Sequence, residues 1–196
     1  MEGNYLYTLI PIEDFKTILN IDDREDKLTK FCLSTSTHTI ENYCKRRLLL
    51  KKHFEHIEYI GDLVLQLREY PVREVMGVFL YGNGEILEPD LYNIVPDYST
   101  SYDMPFNISI SRAIQRLSNI SSIKVIYWAG YSQKKVPEDL SAACLELASW
   151  NMNRYRGKRI GMTGNIKGAG IQGEHFEMSI PENVKILLEP YRRRVI

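Results

Sequence analysis

Apolar positions recur at helical spacing near both ends of the chain and at strand spacing in its middle. Over 12–20, Phe15, Ile18 and Leu19 stand at i, i+3, i+4 and predict a short amphipathic helix. Pro11 suits its first turn and Asn20 a left-handed exit. Asp22, with Glu25 three residues on, reads as a capping box opening a second helix over 23–47. Asp23 and Asp26 in its first turn, and Lys45, Arg46 and Arg47 in its last, match the helix dipole. At about 100° per residue, Leu28, Phe31, Cys32 and Tyr43 form one stripe. Leu33, Ile40 and Cys44 form a second, roughly 100° around from it. One stripe suffices for a surface helix, so two imply packing on two sides. The second side is either the β-region of the same chain or another subunit, which makes Leu33, Ile40 and Cys44 candidate subunit-interface residues. Between the stripes, Ser34 to Thr37 are small and admit a close neighbour.

The period changes between 50 and 128. His53–Ile60 and Leu63–Leu67 alternate or run apolar, with Gly61-Asp62 as the turn between them. Val72–Tyr81 is β-branched and aromatic. Gly82-Asn83-Gly84 is a hairpin signal, followed by strand-like runs at Glu85–Leu87 and Leu91–Val95. Ile108 and Ile110 alternate with serines, and Ile123–Trp128 is a strong strand. Seven serines over 97–122 predict a long loop with a short strand.

Helical spacing returns at Pro137, where Glu138 and Asp139 mark an N-terminus. Leu140, Ala143, Cys144, Leu147, Ala148, Asn151 and Tyr155 follow i, i+3, i+4, i+7, and Gly157 ends the helix. Residues 157–173 hold six glycines, and 151–173 hold five basic residues (Arg154, Arg156, Lys158, Arg159, Lys167) and no acidic one. A last helix over 181–189, with Val184, Leu187 and Leu188 on one face, precedes Tyr191-Arg192-Arg193-Arg194. The fold class expected is α+β: a helical core with an inserted antiparallel β-subdomain. Its parts are N-terminal core helices (1–49), the β-subdomain (50–130), a core helix (131–156), and a glycine-rich arm, last helix and tail (157–196).

Composition narrows the class. Apolar residues make up 44% and charged residues 26%, which excludes wholesale disorder. Twenty-five basic residues cancel twenty-five acidic ones, so there is no generally basic nucleic-acid coat. No apolar run is long enough to span a bilayer, and the N-terminus carries no secretion-signal pattern, so no membrane partner is expected. Cys32, Cys44 and Cys144 are odd in number, far apart and without a CxxC pair, so they read as reduced core thiols. Thirteen tyrosines point weakly to a binding protein.

Catalytic patterns are imitated rather than met. Gly168-Ala-Gly-Ile-Gln-Gly173 matches GxGxxG, but a basic loop precedes it and Pro181 follows. Only 23 residues remain, too few for the βαβ unit that gives the motif meaning. His53 and His56 are three apart, which on a strand sends the rings to opposite faces. No GxSxG, HExxH or GxxxxGK[ST] occurs. The expectation is therefore no catalytic residue, no metal and no cofactor. The basic glycine-rich loop keeps three readings: a solvated loop, a segment ordered by a neighbouring subunit, or a salt-sensitive phosphate contact.

Taken in order, these blocks are similar to the head–tail connector (adaptor, or head-completion) proteins of tailed double-stranded DNA phages and gene transfer agents. They are "IEDFKTILNIDDREDKLTKF" ending in "IENYCKRRL", then "LREYPVREVMGV", "IKVIYWAGY", "VPEDLSAACLELASWNMNRYRG" and "IPENVKILLEPYRR". The resemblance spans nearly the whole chain except 97–122 and the extreme termini. It implies a closed ring, of roughly twelve copies, at the head–tail junction of a virion assembled in the host cytoplasm. Implied partners are the portal protein, neighbouring copies, a downstream stopper or tail protein, and DNA passing through the lumen without sequence-specific binding. The arm cannot build its own core. Residues 157–196 are thus expected to reach the portal or the next subunit with Tyr191, Arg192 and Arg193 in the contact, and the candidate contact residues as a whole are Arg154, Arg156, Lys158, Arg159, Lys167, Val184, Leu187, Leu188, Tyr191, Arg192 and Arg193. A stopper or tail-completion protein of the same neck is the alternative. An enzyme would need a pocket with perturbed titratable groups. A DNA-binding regulator would need a basic recognition helix, which is not seen.

Overall fold

The computed structural model describes residues 7–58, 64–81, 86–87, 92–97, 104–110, 122–157 and 180–193. The chain divides into two units: Met1–Lys45 with Val136–Ile196, and Arg46–Lys135 between them in sequence.

The first unit is helical. Its elements are α1 (Ile12–Leu19), a 3-10 turn (Asp23–Glu25), α2 (Asp26–Cys44), α3 (Glu138–Arg156) and α4 (Glu182–Leu188), which runs into a second 3-10 turn (Glu189–Tyr191). Asn20 leaves α1 with φ 50°, the left-handed exit its type favours. The capping box is not formed. Asp22 accepts instead from the backbone N–H of Arg24, and the Glu25 carboxylate is held by Arg156. The second helix also stops three residues short, because Lys45 turns left-handed (φ 55°), so Arg46 and Arg47 lie beyond it.

α2 lies antiparallel to α3. Glu25 pairs with Arg156, Phe31 stacks edge-on against Tyr155 (centroids 5.4 Å apart), the Asn151 amide donates to Ser36 Oγ (3.1 Å), and Thr37 Oγ1 meets Cys144 Sγ (3.8 Å). Between these tie-points Cys32, Leu33, Ile40 and Cys44 from α2 and Leu140, Ala143, Cys144, Leu147, Ala148 and Met152 from α3 are buried. α4 adds Val184 and Leu188, and Tyr191 follows, each fully buried. The Arg193 N–H donates to the Cys44 carbonyl (2.9 Å) and fastens the chain where α2 ends. Burial pushes the Cys32 thiol up to about 11 and the Cys144 thiol to about 12. Both therefore stay protonated and unreactive near neutral pH.

The second unit holds β1 (Lys51–Glu58), β2 (Val64–Gln66), β3 (Val72–Tyr81), β4 (Ile86–Leu87), β5 (Tyr92–Asp97), β6 (Met104–Ile110) and β7 (Ser122–Ala129). They form two antiparallel sheets, ordered β1-β7-β3-β4 and β2-β6-β5. β1 and β2 thus belong to different sheets rather than to one hairpin. The serine-rich stretch supplies β6, the central strand of the second sheet. β3 and β4 pair as the Gly82–Gly84 signal predicts, though residues 82–85, like Gly61-Asp62, lie outside the described residues. One apolar cluster joins the sheets: Leu65 and Ile108 from one, and Val78, Leu80, Ile123, Val125 and Tyr127 among others from the second. Strict alternation buries every other residue of β7.

A polar knot sits inside this unit. Tyr127 Oη donates to Glu55 Oε2 (2.8 Å) and accepts from the Glu69 N–H (3.3 Å), and the Arg68 N–H also donates to Glu55 (3.0 Å). Burial, then the adjacent carboxylate, holds the Tyr127 phenol far above its ordinary value, so it remains a donor. Nearby, the first and last segments of the unit run side by side: Leu49 bridges Tyr131, Leu50 N–H donates to the Tyr131 carbonyl (2.8 Å), and Tyr131 N–H to that of Leu48 (2.7 Å). Gly130 permits this approach. Its φ is +106°, and a Cβ there would stand 2.6 Å from the Leu49 carbonyl.

Three outcomes follow. Tyr127→Phe, which strips a donor from buried Glu55, is expected to cost about 1–3 kcal/mol in denaturant unfolding. Gly130→Ala combines strain with a backbone clash and should cost about 3 kcal/mol by the same measurement. Truncation after Gly173 removes three fully buried side chains, on the order of 5 kcal/mol of apolar burial. It should lower the thermal midpoint sharply and weaken cooperativity. An unchanged melting curve would show that α4 contributes no core.

Candidate assembly interface

The residues singled out in the sequence divide by place. Leu33, Ile40 and Cys44 are fully buried against the chain's own helices, so their side chains offer no surface to another subunit. The same holds for Val184, Leu188 and Tyr191, while Leu187 is half-buried. Burial of the last helix reflects an apolar face that completes α3. The two stripes of α2 are likewise used within the protomer, except that Phe31 and, on α1, Ile18 stand exposed.

The basic residues are partly engaged. Arg156 Nε donates to Glu25 Oε1 (2.9 Å) and its Nη2 to Glu25 Oε2, a bidentate pair that raises the guanidinium pKa further. Arg154 stacks over Trp150, 4.7 Å from the ring centroid. Arg192 lies 5.5 Å over Tyr43 and 3.8 Å from Glu189, whose carboxylate accepts from Tyr43 Oη (3.3 Å). Arg193 is held through its backbone N–H, which donates to the Cys44 carbonyl. Lys158, Arg159 and Lys167, like the glycine motif at 168–173, lie outside the described residues.

Between α1, α3 and the start of α4 runs a groove of about 880 Å³. Its lining is mostly apolar and amide (Leu19, Leu145, Trp150, Asn153, Val184), and its carboxylate, Glu146, is engaged by the Asn183 amide. On α1, the carboxylates of Glu13 and Asp14 are exposed, and Ile18 follows Asp14 by one turn. Lys16, on the inward side, bonds Asp23 and Asp26 (2.7 Å to the latter), which raises its own pKa and lowers that of Asp26.

The second unit carries a surface that the sequence reading did not single out. Lys52, Phe54 and His56 alternate with Glu55 along β1, on the side away from the core. Phe54 is 61% exposed. The Lys52 ammonium lies 5.4 Å from its ring centroid and that of Lys124 on β7 lies 5.9 Å away. Met76, at a bulge of β3, is exposed as well. The signal was present in the alternation: an aromatic stands where strand period demands a polar residue. His53 faces inward, with its ring 5.6 Å from that of Tyr127, and His56 points out, so the histidines do part to opposite faces.

No family model and no curated protein matches this sequence. Solved structures do. The chain is similar to a protein in the neck of an empty gene transfer agent particle with C6 symmetry, at 18% identity and a TM-score of 0.61, over 96% of this chain and 92% of that one. It is similar to one in the native-particle neck with C12 symmetry, at 18% identity and a TM-score of 0.59, over 96% and 91%. A chain in the virion of the native gene transfer agent gives 18% and 0.60, over 96% and 92%. At this identity the likeness is one of fold, and it extends over both units: the chain has the fold of these gene transfer agent neck proteins, in agreement with the resemblance carried by its sequence blocks.

Proposed function

We propose that this chain is a structural protein of a virion neck, assembling as a closed ring at the head–tail junction, docking on the portal and extending the DNA channel. One observation carries the reading: the fold match covers almost all of both chains, and the matched proteins stand in particle necks whose structures were computed with C6 and C12 symmetry. A helical unit with an exposed lysine–aromatic sheet face elsewhere in the chain suits a joint that touches several neighbours. The role assigned is mechanical, with no catalytic residue, cofactor or metal. Among the described residues no group of His, Cys, Asp and Glu is disposed to hold a metal ion, and no helix is long and apolar enough to cross a membrane. DNA passes through the lumen without sequence-specific contact, and a downstream stopper or tail protein follows. Within this reading, the exposed Arg192 and the half-buried Arg193 face the portal, and Tyr191 positions them from the core.

A stopper or tail-completion protein is the second reading, because a neck contains more than one kind of joint. Co-sedimentation with isolated portal separates them. The expected outcome is a portal-bound ring, seen in negative stain on the portal's narrow end, with about twelve copies by native mass. Assembly onto a preformed portal–adaptor complex, with no binding to portal alone, would favour the stopper.

A further inference from the structure

The outer face of β1 and β7 poses a physical problem. Phe54 is 61% exposed on an edge strand, with Leu50 and Met76 also exposed in the same unit. An apolar surface of this kind on a sheet edge invites association. Lys52 and Lys124 bracket the ring, and among the described residues neither has a carboxylate partner. The face therefore calls for a partner that is apolar at its centre and carries at least two carboxylates around it.

The same chain carries such a surface. On α1, Ile18 is 60% exposed and lies one turn from Asp14, with Glu13 beside it. Among the described residues neither carboxylate takes part in an ion pair. Their position in the first turn suits the helix dipole, yet that role leaves both carboxylates facing water. One exposed aliphatic side chain flanked by two acids complements one exposed aromatic flanked by two lysines, in polarity and in sign.

Resting on the ring reading above, we propose that the Lys52–Phe54–Lys124 face of one copy receives the Glu13–Asp14–Ile18 face of a second copy. The two faces differ and each occurs once per chain. The contact is thus heterologous, and each copy bound leaves one donor and one acceptor face open for the next, as a cyclic assembly requires. A nucleic acid is the less suitable occupant. Two lysines would give only a shallow salt dependence.

The experiment uses the full chain in two charge-reversed forms, K52E/K124E and E13K/D14K, each checked for native circular dichroism. At low salt each variant alone is expected to lose the multimers formed by the wild type in native mass spectra. Mixed, the two should regain multimers in which the variants alternate, because each joint then pairs either two native faces or two reversed ones, both complementary in sign. The quadruple variant, with both faces reversed, should regain multimers. A second readout covers weak association: oxidised mixtures of F54C and I18C should yield a cross-linked heterodimer, and neither variant alone should do so. Absence of that cross-link, or multimers of unchanged size from either charge variant, overturns the proposal. If rings persist in both variants, the contact fails while the ring reading stands. If the wild type stays a monomer even with portal present, the ring reading itself fails. Loss of single-stranded oligonucleotide binding in K52E/K124E, with assembly intact, would assign the face to nucleic acid instead.

Discussion

The helical unit depends on the antiparallel seat of α2 against α3. These helices are adjacent in space but separated in sequence by the whole β-unit. Their contact joins Thr37 to Cys144 and Ser36 to Asn151, residues more than one hundred positions apart. Small side chains at Ser36, Thr37, Ala143 and Ala148 let the helices approach, and the larger Leu33, Ile40, Leu140 and Leu147 fill the space around them. α4 then covers what two helices leave open, and the N-terminal segment is drawn in by Tyr7 Oη donating to Glu41 (2.6 Å) and by the Leu9 N–H donating to Thr37 (3.2 Å). Thr37 thus serves both neighbours, which explains why a polar residue stands at the centre of an otherwise apolar seam.

Much of this was legible in the residues. The period of α3 named its buried face almost completely, because a helix packed on one side must repeat at 3.6 residues. Pro137 and Gly157 bracketed it for steric reasons that tertiary context does not change. The alternation in 123–128 marked β7 for the same kind of reason. The failures share a cause as well. The Asp22–Glu25 box was a sound local pattern, but Arg156, distant in sequence, offered Glu25 a bidentate partner stronger than a backbone N–H. Ile18 fitted a helical stripe and yet stands in water, because periodicity tells which residues share a face and not how wide the covered strip is. By contrast, the short strand expected within the serine-rich segment is present as β6, held by its two neighbours through backbone bonds that any side chain permits.

The candidate assembly surfaces were the least legible part. A buried position announces itself by its regularity, whereas an exposed apolar position announces itself only by breaking a rule, as Phe54 breaks the alternation of β1. Leu33, Ile40, Cys44 and the last helix obeyed the rules of a core, and a core is where they are found. Their apolar faces are buried within this chain, and a sequence gives the polarity of a contact without saying whether the other half lies in the same chain.

The bridge from Leu49 to Tyr131, with Gly130 admitting the close approach, makes the two ends of a 90-residue excursion meet. To the helices, the β-unit is then no longer a long tether. Once its own strands pair, α2 and α3 are connected as if by a tight turn, and the loop-closure cost of bringing them together falls by about 2 kcal/mol. The β-unit in this sense acts as an entropic staple for the helices it interrupts. The order of events matters accordingly: a chain in which the sheets form first meets a lower barrier to docking α3 on α2 than one in which the helices must find each other across an open coil.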